Sequence, residues 1–216
     1  MARIVIVGGH GKVALLLAPL LVRAGDEVTS VFRNPEHTPD VAATGARPVV
    51  ADLEKLDTEA IAALLAGHDA VVWSAGAGGG DPARTYAVDR DAAIRTMDAA
   101  VSAGVRRFVM VSYFGAGPDH GTPQESGFFP YAEAKSAADA HLAGTGLDWT
   151  ILRPSRLTSD APTGLIETAE QGATATSVTR ADVAAAVAAA LADPATRGRT
   201  VEFNNGGTPI ASALVP

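Results

Sequence analysis

Hydrophobic residues along the chain form short β-branched runs that alternate with longer periodic stretches. The first run, residues 4–7, is followed by a periodic apolar segment at residues 12–24, and Gly25 comes directly after it. A short continuous apolar run is typical of a strand buried on both faces, and glycine is common just after a helix. The same analysis of the whole chain predicts helices at residues 12–24, 58–66, 85–103, 131–142 and 182–191. It predicts strands at residues 4–7, 27–33, 47–52, 69–75, 105–112, 148–152 and 200–203.

This regular alternation predicts an α/β fold. Strands that alternate with helices form a doubly wound parallel sheet, with helices on both faces. We expect the strand order 3-2-1-4-5-6, with residues 200–203 as a seventh strand. Residues 1–216 are expected to form a single domain, in which residues 154–216 are a small substrate-side segment that does not fold independently. Two irregular segments, 115–130 and 154–177, are expected to line the substrate, because long loops in compact domains are usually functional.

Composition narrows the classes of partner. The net charge of −7 and the aromatic content of 5% argue against nucleic-acid binding, which needs clustered cations and stacking rings. The chain has no cysteine, so thiolate metal sites and disulfides are excluded, and its five histidines lack metal-ligand spacing. The longest apolar run, residues 13–22, is interrupted by Pro19 and is too short to span a bilayer. We expect a cytoplasmic monomer or homodimer that acts on a small molecule, without a metal, nucleic-acid or membrane partner.

A glycine turn joins the first strand to the first helix. Gly8, Gly11 and Ala14 are spaced as in turns that bind a dinucleotide. In such turns the first glycine allows the sharp bend and the second lets the backbone approach a pyrophosphate at the helix N-terminus. The alternative is a tight turn without a ligand. The residues of this turn that we expect to contact a cofactor are Gly8, His10, Gly11, Lys12 and Val13.

Charge at the end of the second strand bears on which dinucleotide would bind. NAD sites place an acidic residue about 20 positions after the glycines, to bind the ribose hydroxyls. This chain has Arg33 there, with no acid adjacent on the strand, and Lys12 adds a cation in the turn. A guanidinium suits a 2′-phosphate, so NADP(H) is favoured over NAD(H). Asp52 and Leu53 are placed to contact adenine, although Asp52 could equally be an ordinary helix N-cap.

Tyr131 and Lys135 are four positions apart at the start of a predicted helix, so both lie on one face. A nearby ammonium lowers the pKa of a phenol and fits it for proton transfer. Ser112, at the end of the fifth strand, would then polarise a carbonyl. The alternative is an exposed pair on a helix surface. Farther along the same helix, Asp139 and His141 are expected on a solvated face.

With these features together, the chain resembles the short-chain dehydrogenase/reductase superfamily, and in particular its small atypical NAD(P)H-binding members related to NmrA-like proteins and flavin/biliverdin reductases. The resemblance extends over essentially the whole chain. It implies a Rossmann fold and a nicotinamide cofactor. It also implies cofactor contacts after the fourth strand and backbone contacts near the nicotinamide. The residues concerned are Ser74, Ala75 and Gly76, and Pro154 and Ser155.

One departure leaves the catalytic set open. Catalytic relatives carry two hydroxyl residues at the end of the fifth strand, and this chain has Ser112 and Tyr113. Either of them could orient an acceptor beside Tyr131 and Lys135. The leading hypothesis is an NADPH-dependent oxidoreductase that acts on a small carbonyl or conjugated acceptor. The alternatives are a nucleotide-binding sensor without turnover, a flavin or quinone reductase, and a nucleotide-sugar epimerase-like enzyme, for which residues 153–216 leave little room for a substrate domain.

Overall fold

The computed structural model describes residues 1–215, which contain eleven strands and eight α-helices. The strands are β1 (Arg3–Val7), β2 (Glu27–Phe32), β3 (Arg47–Val50), β4 (Ala70–Trp73), β5 (Arg107–Val111), β6 (Asp148–Pro154), β7 (Arg156–Thr158), β8 (Leu165–Thr168), β9 (Ser177–Thr179), β10 (Arg199–Asn205) and β11 (Thr208–Pro209). The helices are α1 (Lys12–Arg23), α2 (Thr38–Ala43), α3 (Thr58–Leu65), α4 (Pro82–Thr85), α5 (Ala93–Ser102), α6 (Phe129–Ala143), α7 (Arg180–Ala192) and α8 (Ile210–Ala213). No helix among residues 1–215 is long and apolar enough to cross a membrane.

Nine strands form one sheet in the order β11-β8-β10-β6-β5-β4-β1-β2-β3. The predicted order 3-2-1-4-5-6 is confirmed. The predicted seventh strand is β10, which pairs parallel with β6 and places Val201 opposite Leu152. Beyond it, β8 is antiparallel to β10, so only this end of the sheet departs from the parallel pattern. The carboxyl ends of β1, β2, β4, β5 and β6 therefore meet along one edge.

Helices cover both faces of the sheet, because successive residues of a strand point to opposite sides. In β1, Ile4 and Ile6 belong to one hydrophobic cluster, which α1 and α7 complete with residues such as Leu17. Val5 and Val7 belong to a second cluster, which α3, α5 and α6 complete. This arrangement explains why β1 and β4 are almost purely apolar and lack a polar face.

The main departures from the predicted elements lie where pairing is non-local. Residues 154–177, expected to be irregular, contain β7, β8 and the first residue of β9, and each of these strands is only three or four residues long. Their partners lie far along the chain, so no local periodicity marks them. The short helix α2 was also not predicted, because Val41 is its only buried residue. The predicted helix 85–103 begins earlier, at Pro82, and contains a π-helical turn at Tyr86–Ala92 before α5.

Two glycines let the turn between β1 and α1 pack directly on neighbouring strands. A Cβ on Gly9 would lie 2.5 Å from the Cβ of Ser30 in β2. Gly8 has φ +85°, and a Cβ there would lie 2.6 Å from the backbone N and Cα of Ala75, just after β4. Contacts this short leave no room for any side chain, so the position of the turn requires glycine.

The contact at Gly9 predicts a stability difference between two glycine substitutions. Gly9→Ala should lower the free energy of unfolding by about 1–3 kcal/mol, since the new methyl group must displace β2 or the turn. As a control, Gly146→Ala adds the same methyl at a position with no described atom within 4 Å. It should change stability by less than about 0.5 kcal/mol. Urea denaturation of both variants measures this, and equal midpoints would contradict the close packing.

Candidate functional site

Three adjoining clefts lie along the carboxyl edge of the parallel strands. The first cleft, about 280 Å³, lies between the β1–α1 turn and the ends of β2 and β3. The second cleft, about 340 Å³, shares Gly11, Ser74, Ala75 and Gly76 with the first. The third cleft, about 400 Å³, shares Ser112, Tyr131 and Leu157 with the second. Because neighbouring clefts share walls, the three form one elongated groove.

All of the site residues expected from the sequence line this groove. In the first cleft these are Gly8, His10, Gly11, Arg33, Asp52, Leu53, Ser74, Ala75 and Gly76. The second cleft adds Lys12, Val13, Ser112, Tyr131 and Lys135. The third adds Tyr113, Pro154 and Ser155. Residues far apart in the chain thus come together because parallel strands end at the same edge of the sheet.

The N-terminus of α1 faces the wall that the first two clefts share. Gly11 is its N-cap, in an extended conformation, and no side chain within residues 1–215 caps the helix. The first N–H groups of the helix therefore have no side-chain partner. Such groups and the helix dipole together favour an anion. Because the turn has glycine at positions 8, 9 and 11, a ligand can approach its backbone closely, and this wall fits the pyrophosphate of a dinucleotide.

Arg33 lies at the far end of the first cleft, and it is paired with an acid. Its Nη1 donates to Oε1 of Glu54 at 3.1 Å, and Arg84 donates to the same oxygen at 3.2 Å. Glu54 lies in the loop after β3, far from Arg33 in the sequence. For this reason the sequence around Arg33 showed no acidic partner. This acid is a residue that sequence reasoning missed, since it reaches Arg33 only through the pairing of β2 with β3.

Asp52 is not the N-cap of α3, so that alternative reading of the sequence is wrong. The cap is Asp57, whose carboxylate accepts from the N–H of Ala60 at 2.8 Å. Asp52 instead accepts from the N–H of Glu54 and forms an ion pair with Lys55 at 3.3 Å. Its carboxylate therefore helps to shape the loop that closes the first cleft.

Lys135 is buried, with only 1% of its surface exposed, which excludes the exposed helix pair considered from the sequence. Its Nζ donates to the carbonyl of Val111 at 2.8 Å and lies 3.4 Å from Sδ of Met110. Burial lowers the pKa of this ammonium, although the carboxylates of Asp139 and Asp89 oppose that shift. The side chain is thus anchored to the end of β5 beneath the second cleft.

The pKa of Tyr131 is raised rather than lowered. Burial is the largest cause, and the negative charges of Asp89 and Asp139 add to it. The expectation that Lys135 lowers this pKa is therefore wrong, because burial of the phenol, together with the nearby carboxylates, raises it. At neutral pH the phenol of Tyr131 is protonated, and it lies where the second and third clefts meet.

Asp139 is buried beneath the site, with 2% of its surface exposed, so the expected solvated face is wrong for this residue. Its Oδ2 accepts from Oγ of Ser112 at 2.8 Å and from Nε of Arg153 at 3.0 Å. Burial raises its pKa, against the opposing effects of Lys135, Ser112 and Arg153. The spacing of four from Lys135 was the signal that could have placed it on the inner face of α6.

A second buried carboxylate, Asp89, was also missed. It lies in the π-helical turn and is 1% exposed, and its Oδ2 accepts from the N–H of Ala77 at 2.9 Å. Burial is the main cause of its raised pKa. Single π-helical turns are frequent at functional sites, because the extra residue redirects a side chain. Here the turn directs Asp89 into the second cleft, beside Lys135.

Aromatic rings form one wall of the third cleft. The rings of Tyr113, Phe128 and Tyr131 contact one another, with centroids 5.2–5.5 Å apart. The hydroxyls of Tyr113 and Ser155 are buried at this cleft and have no hydrogen-bond partner among the described residues. Buried hydroxyls normally have a partner. These two are therefore available to a polar group on a ligand whose body packs against the rings.

Comparison with known proteins decides the family. A family model described as NAD(P)H-binding matches residues 8–194, which include the whole groove wall from Gly8 to Arg180. The chain belongs to this NAD(P)H-binding family. The resemblance to the atypical short-chain dehydrogenase/reductase proteins is thereby confirmed, and with it a nicotinamide cofactor.

Relatives of the chain within this family match it over nearly its full length. The uncharacterized sugar epimerase YhfK of Bacillus subtilis is 35% identical over 218 residues, which cover 98% of each chain. A solved structure from Bacillus halodurans, provisionally described as an NAD-dependent epimerase/dehydratase, is 35% identical with a TM-score of 0.90 and covers 99% of both chains. The oxidoreductase ylbE from Lactococcus lactis is 29% identical with a TM-score of 0.87, covering 98% of this chain and 94% of that one. The chain is thus of an oxidoreductase- or epimerase-like type.

The buried pair of Arg153 and Asp139 predicts a pH-dependent loss of stability. Arg153→Met should lower the free energy of unfolding by about 2–4 kcal/mol, because it leaves the Asp139 carboxylate buried without its guanidinium. The pKa of Asp139 is raised on folding, so the cost of its charge is absent at low pH and appears as the pH rises through the folded-state pKa. The loss should therefore be larger at about pH 8 than at about pH 5.

Urea denaturation of Arg153→Met at both pH values makes the measurement. Arg3→Met is the matched control, because Arg3 pairs at 3.2 Å with Asp69 and both are about half exposed. That pairing lowers the pKa of Asp69, so its effect should be small and equal at the two pH values. A pH-independent loss in Arg153→Met would contradict the assignment of a buried charge to Asp139.

Proposed function

We propose that the protein is an NADPH-dependent oxidoreductase that reduces a small carbonyl or conjugated acceptor bound in the third cleft. The observation that carries the proposal is the position of Tyr131, a protonated phenol at the junction of the second and third clefts. A cofactor in the first two clefts and an acceptor in the third would meet at this residue. A reduction needs a proton donor at that point.

The groove offers a partner for each part of the cofactor. Gly8, Gly11 and the N-terminus of α1 would hold the pyrophosphate, and Leu53 would pack on the adenine. Arg33 would bind the 2′-phosphate. The segment 74–76 and Lys135 line the second cleft, where the nicotinamide ribose would lie. When bound, the reduced dinucleotide supplies a hydride, which no side chain of this chain can provide.

The Tyr131 phenol holds its proton at neutral pH, which is the state that a reduction requires of a proton donor. A proton donor must hold its proton before the reaction, and burial beside Asp89 and Asp139 keeps the phenol protonated. An epimerase of the sugar-nucleotide kind must first remove a proton from a hydroxyl, which requires the phenolate. YhfK is described as an uncharacterized sugar epimerase, and the third cleft of this chain is lined by both aromatic rings and polar side chains. We therefore favour a reductase.

The two hydroxyls after β5 differ in what they can offer an acceptor. The Ser112 hydroxyl donates its proton to Asp139, so it presents lone pairs to the cleft. The hydroxyl of Tyr113 forms no hydrogen bond of good geometry among residues 1–215, and the nearby hydroxyl of Ser136 lowers its pKa against the larger effect of burial. We assign the orienting role to Tyr113, and to Ser112 the role of linking the acceptor site to Asp139.

A second candidate function is reduction of a flavin or a quinone. The observation that favours it is the wall formed by Tyr113, Phe128 and Tyr131, against which a flat ring system could stack. In that reaction the protein mainly positions the cofactor and the acceptor, and no tyrosine proton is needed.

Substitution of Tyr131 tests the proposed proton donor. Tyr131→Phe should lower the turnover of carbonyl acceptors by about 100-fold or more, because no other group replaces the proton donor. Binding of NADPH should stay within about twofold of the wild-type value, since the ring is retained. Oxidation of NADPH by a panel of carbonyls, quinones and flavins measures turnover, and quenching of nicotinamide fluorescence measures binding.

Tyr86→Phe is the control, because Tyr86 contacts Arg90 and lies outside the residues that line the three clefts. Full turnover of flavins or quinones by Tyr131→Phe would favour the second candidate over the first. Binding of NADPH without turnover of any acceptor by the wild-type protein would instead favour a nucleotide-binding sensor.

The preference for the 2′-phosphate is tested at Arg33. Arg33→Gln should weaken binding of NADPH by about tenfold, the equivalent of one charge-assisted contact, and binding of NADH by less than about twofold. Arg23→Gln removes the same charge from the last turn of α1, outside the groove, and should change neither affinity. Equal losses for NADPH and NADH in Arg33→Gln would contradict a role in binding the phosphate.

A further inference from the structure

We propose that Glu54 is a specificity-determining residue of the cofactor groove, whose carboxylate competes with the 2′-phosphate of NADP(H) for Arg33 and Arg84. The inference rests on the proposed nicotinamide-dependent function and extends it to what limits the choice between the two dinucleotides. It predicts that the preference for NADP(H) is set by a balance between Arg33 and Glu54 rather than by Arg33 alone.

The contacts of Glu54 converge on one atom. Its Oε1 accepts from Nη1 of Arg33 at 3.1 Å, and from Nε and Nη2 of Arg84, both at 3.2 Å. Two guanidinium groups that point at one oxygen are also the arrangement that binds a phosphate, because each can donate through two N–H groups. The carboxylate therefore occupies the point between the two guanidiniums that a phosphate oxygen would take.

Glu54 and Arg84 are held in place by the surrounding backbone. Nη2 of Arg95 donates to the carbonyls of Leu53 and Glu54 at 3.1 and 3.3 Å, which fixes the loop after β3. Nη1 of Arg84 also donates to the carbonyl of Ala77 at 2.6 Å. Arg33 is the more exposed partner, with 53% of its side chain accessible, against 24% for Glu54. Arg33 can therefore turn from the carboxylate to a ligand, while Glu54 and Arg84 keep their places.

The same cleft shows why this competition acts on the phosphate alone. The cleft is lined by two positive groups, Arg33 and Arg84, and by two negative groups, Asp52 and Glu54. Their formal charges therefore cancel. A 2′-phosphate brings additional negative charge close to Glu54, and like charges at this separation repel. The 2′-hydroxyl of NAD(H) is neutral and meets no such repulsion. Removing the Glu54 charge should therefore help one dinucleotide and leave the other unchanged.

The test compares nucleotides that differ by the phosphate at this position. Glu54→Gln keeps the length of the side chain and removes its charge. Calorimetric titration of the full chain should show adenosine 2′,5′-bisphosphate binding about tenfold more tightly to Glu54→Gln than to the wild type. Binding of adenosine 5′-monophosphate should change by less than about twofold. NADPH and NADH should follow the same pattern.

Two further variants distinguish the direct effect of Glu54 on the two arginines from a general effect of the net charge of the protein. Glu59→Gln removes one negative charge from the first turn of α3, and Glu59 makes no ion pair within the described residues. It should leave the affinity for the bisphosphate within about twofold of the wild type. In the Glu54→Gln background, Arg84→Gln should return that affinity toward the wild-type value, because the freed guanidinium supplies much of the gain.

Three outcomes would overturn the proposal. Unchanged affinity for the bisphosphate in Glu54→Gln would show that the carboxylate does not compete with the phosphate. Weaker binding of the monophosphate and of NADH would show that Glu54 instead accepts from the ribose hydroxyls. If the wild-type protein binds neither NADPH nor NADH, the proposed nicotinamide-dependent function is wrong, and the role of Glu54, which rests on it, is rejected for that reason. Thermal unfolding of each variant confirms that the comparison is made on folded protein.

Discussion

The site depends on one steric constraint, the absence of side chains where the β1–α1 turn meets its neighbours. Gly8 lies against the backbone of Ala75 and Gly9 against Ser30, at distances where a Cβ would overlap both. These contacts bring the ends of β1, β2 and β4 together and leave the N-terminus of α1 open to the groove.

The other side of the groove is governed by the free energy of burying charged groups rather than by close steric packing. Lys135, Asp139 and Asp89 are charged groups buried almost completely around the end of β5. Removing such charges from water is unfavourable, and the molecule offsets it with hydrogen bonds to Val111, Ser112 and Ala77 and with the guanidinium of Arg153. Burial of Tyr131 beside these groups, together with the negative charges of Asp89 and Asp139, raises the pKa of its phenol. The proposed function would use this phenol, protonated at neutral pH, as its proton donor.

Both ends of the groove follow a common principle, that a charged group acts through its partners. Considered alone, Arg33 suggests a binding site for a phosphate. Because Arg33 is paired with Glu54, a phosphate would have to compete with that carboxylate. Ser112 alone indicates a donor to a carbonyl, but Ser112 bonded to Asp139 does not. In each case the partner comes from a different strand or loop, and it changes the chemistry that the residue can supply.

The sequence by itself determined the order of the six central strands, the helices on every crossover except that between β2 and β3, and a large part of the groove lining. The strand order and the helices follow from local periodicity, and the residues of the β1–α1 turn follow from the glycine spacing at Gly8 and Gly11. The expected contacts after β4 and after β6 came from the resemblance to the family. Only the tertiary structure decided which charges meet. The pairing of Glu54 with Arg33, the burial of Asp89 in a π-helical turn and the inward face of Asp139 all depend on packing between distant segments. Protonation and charge balance depend on distance and desolvation, which a linear pattern does not encode, so the pKa of Tyr131 could only be assigned once its neighbours were placed.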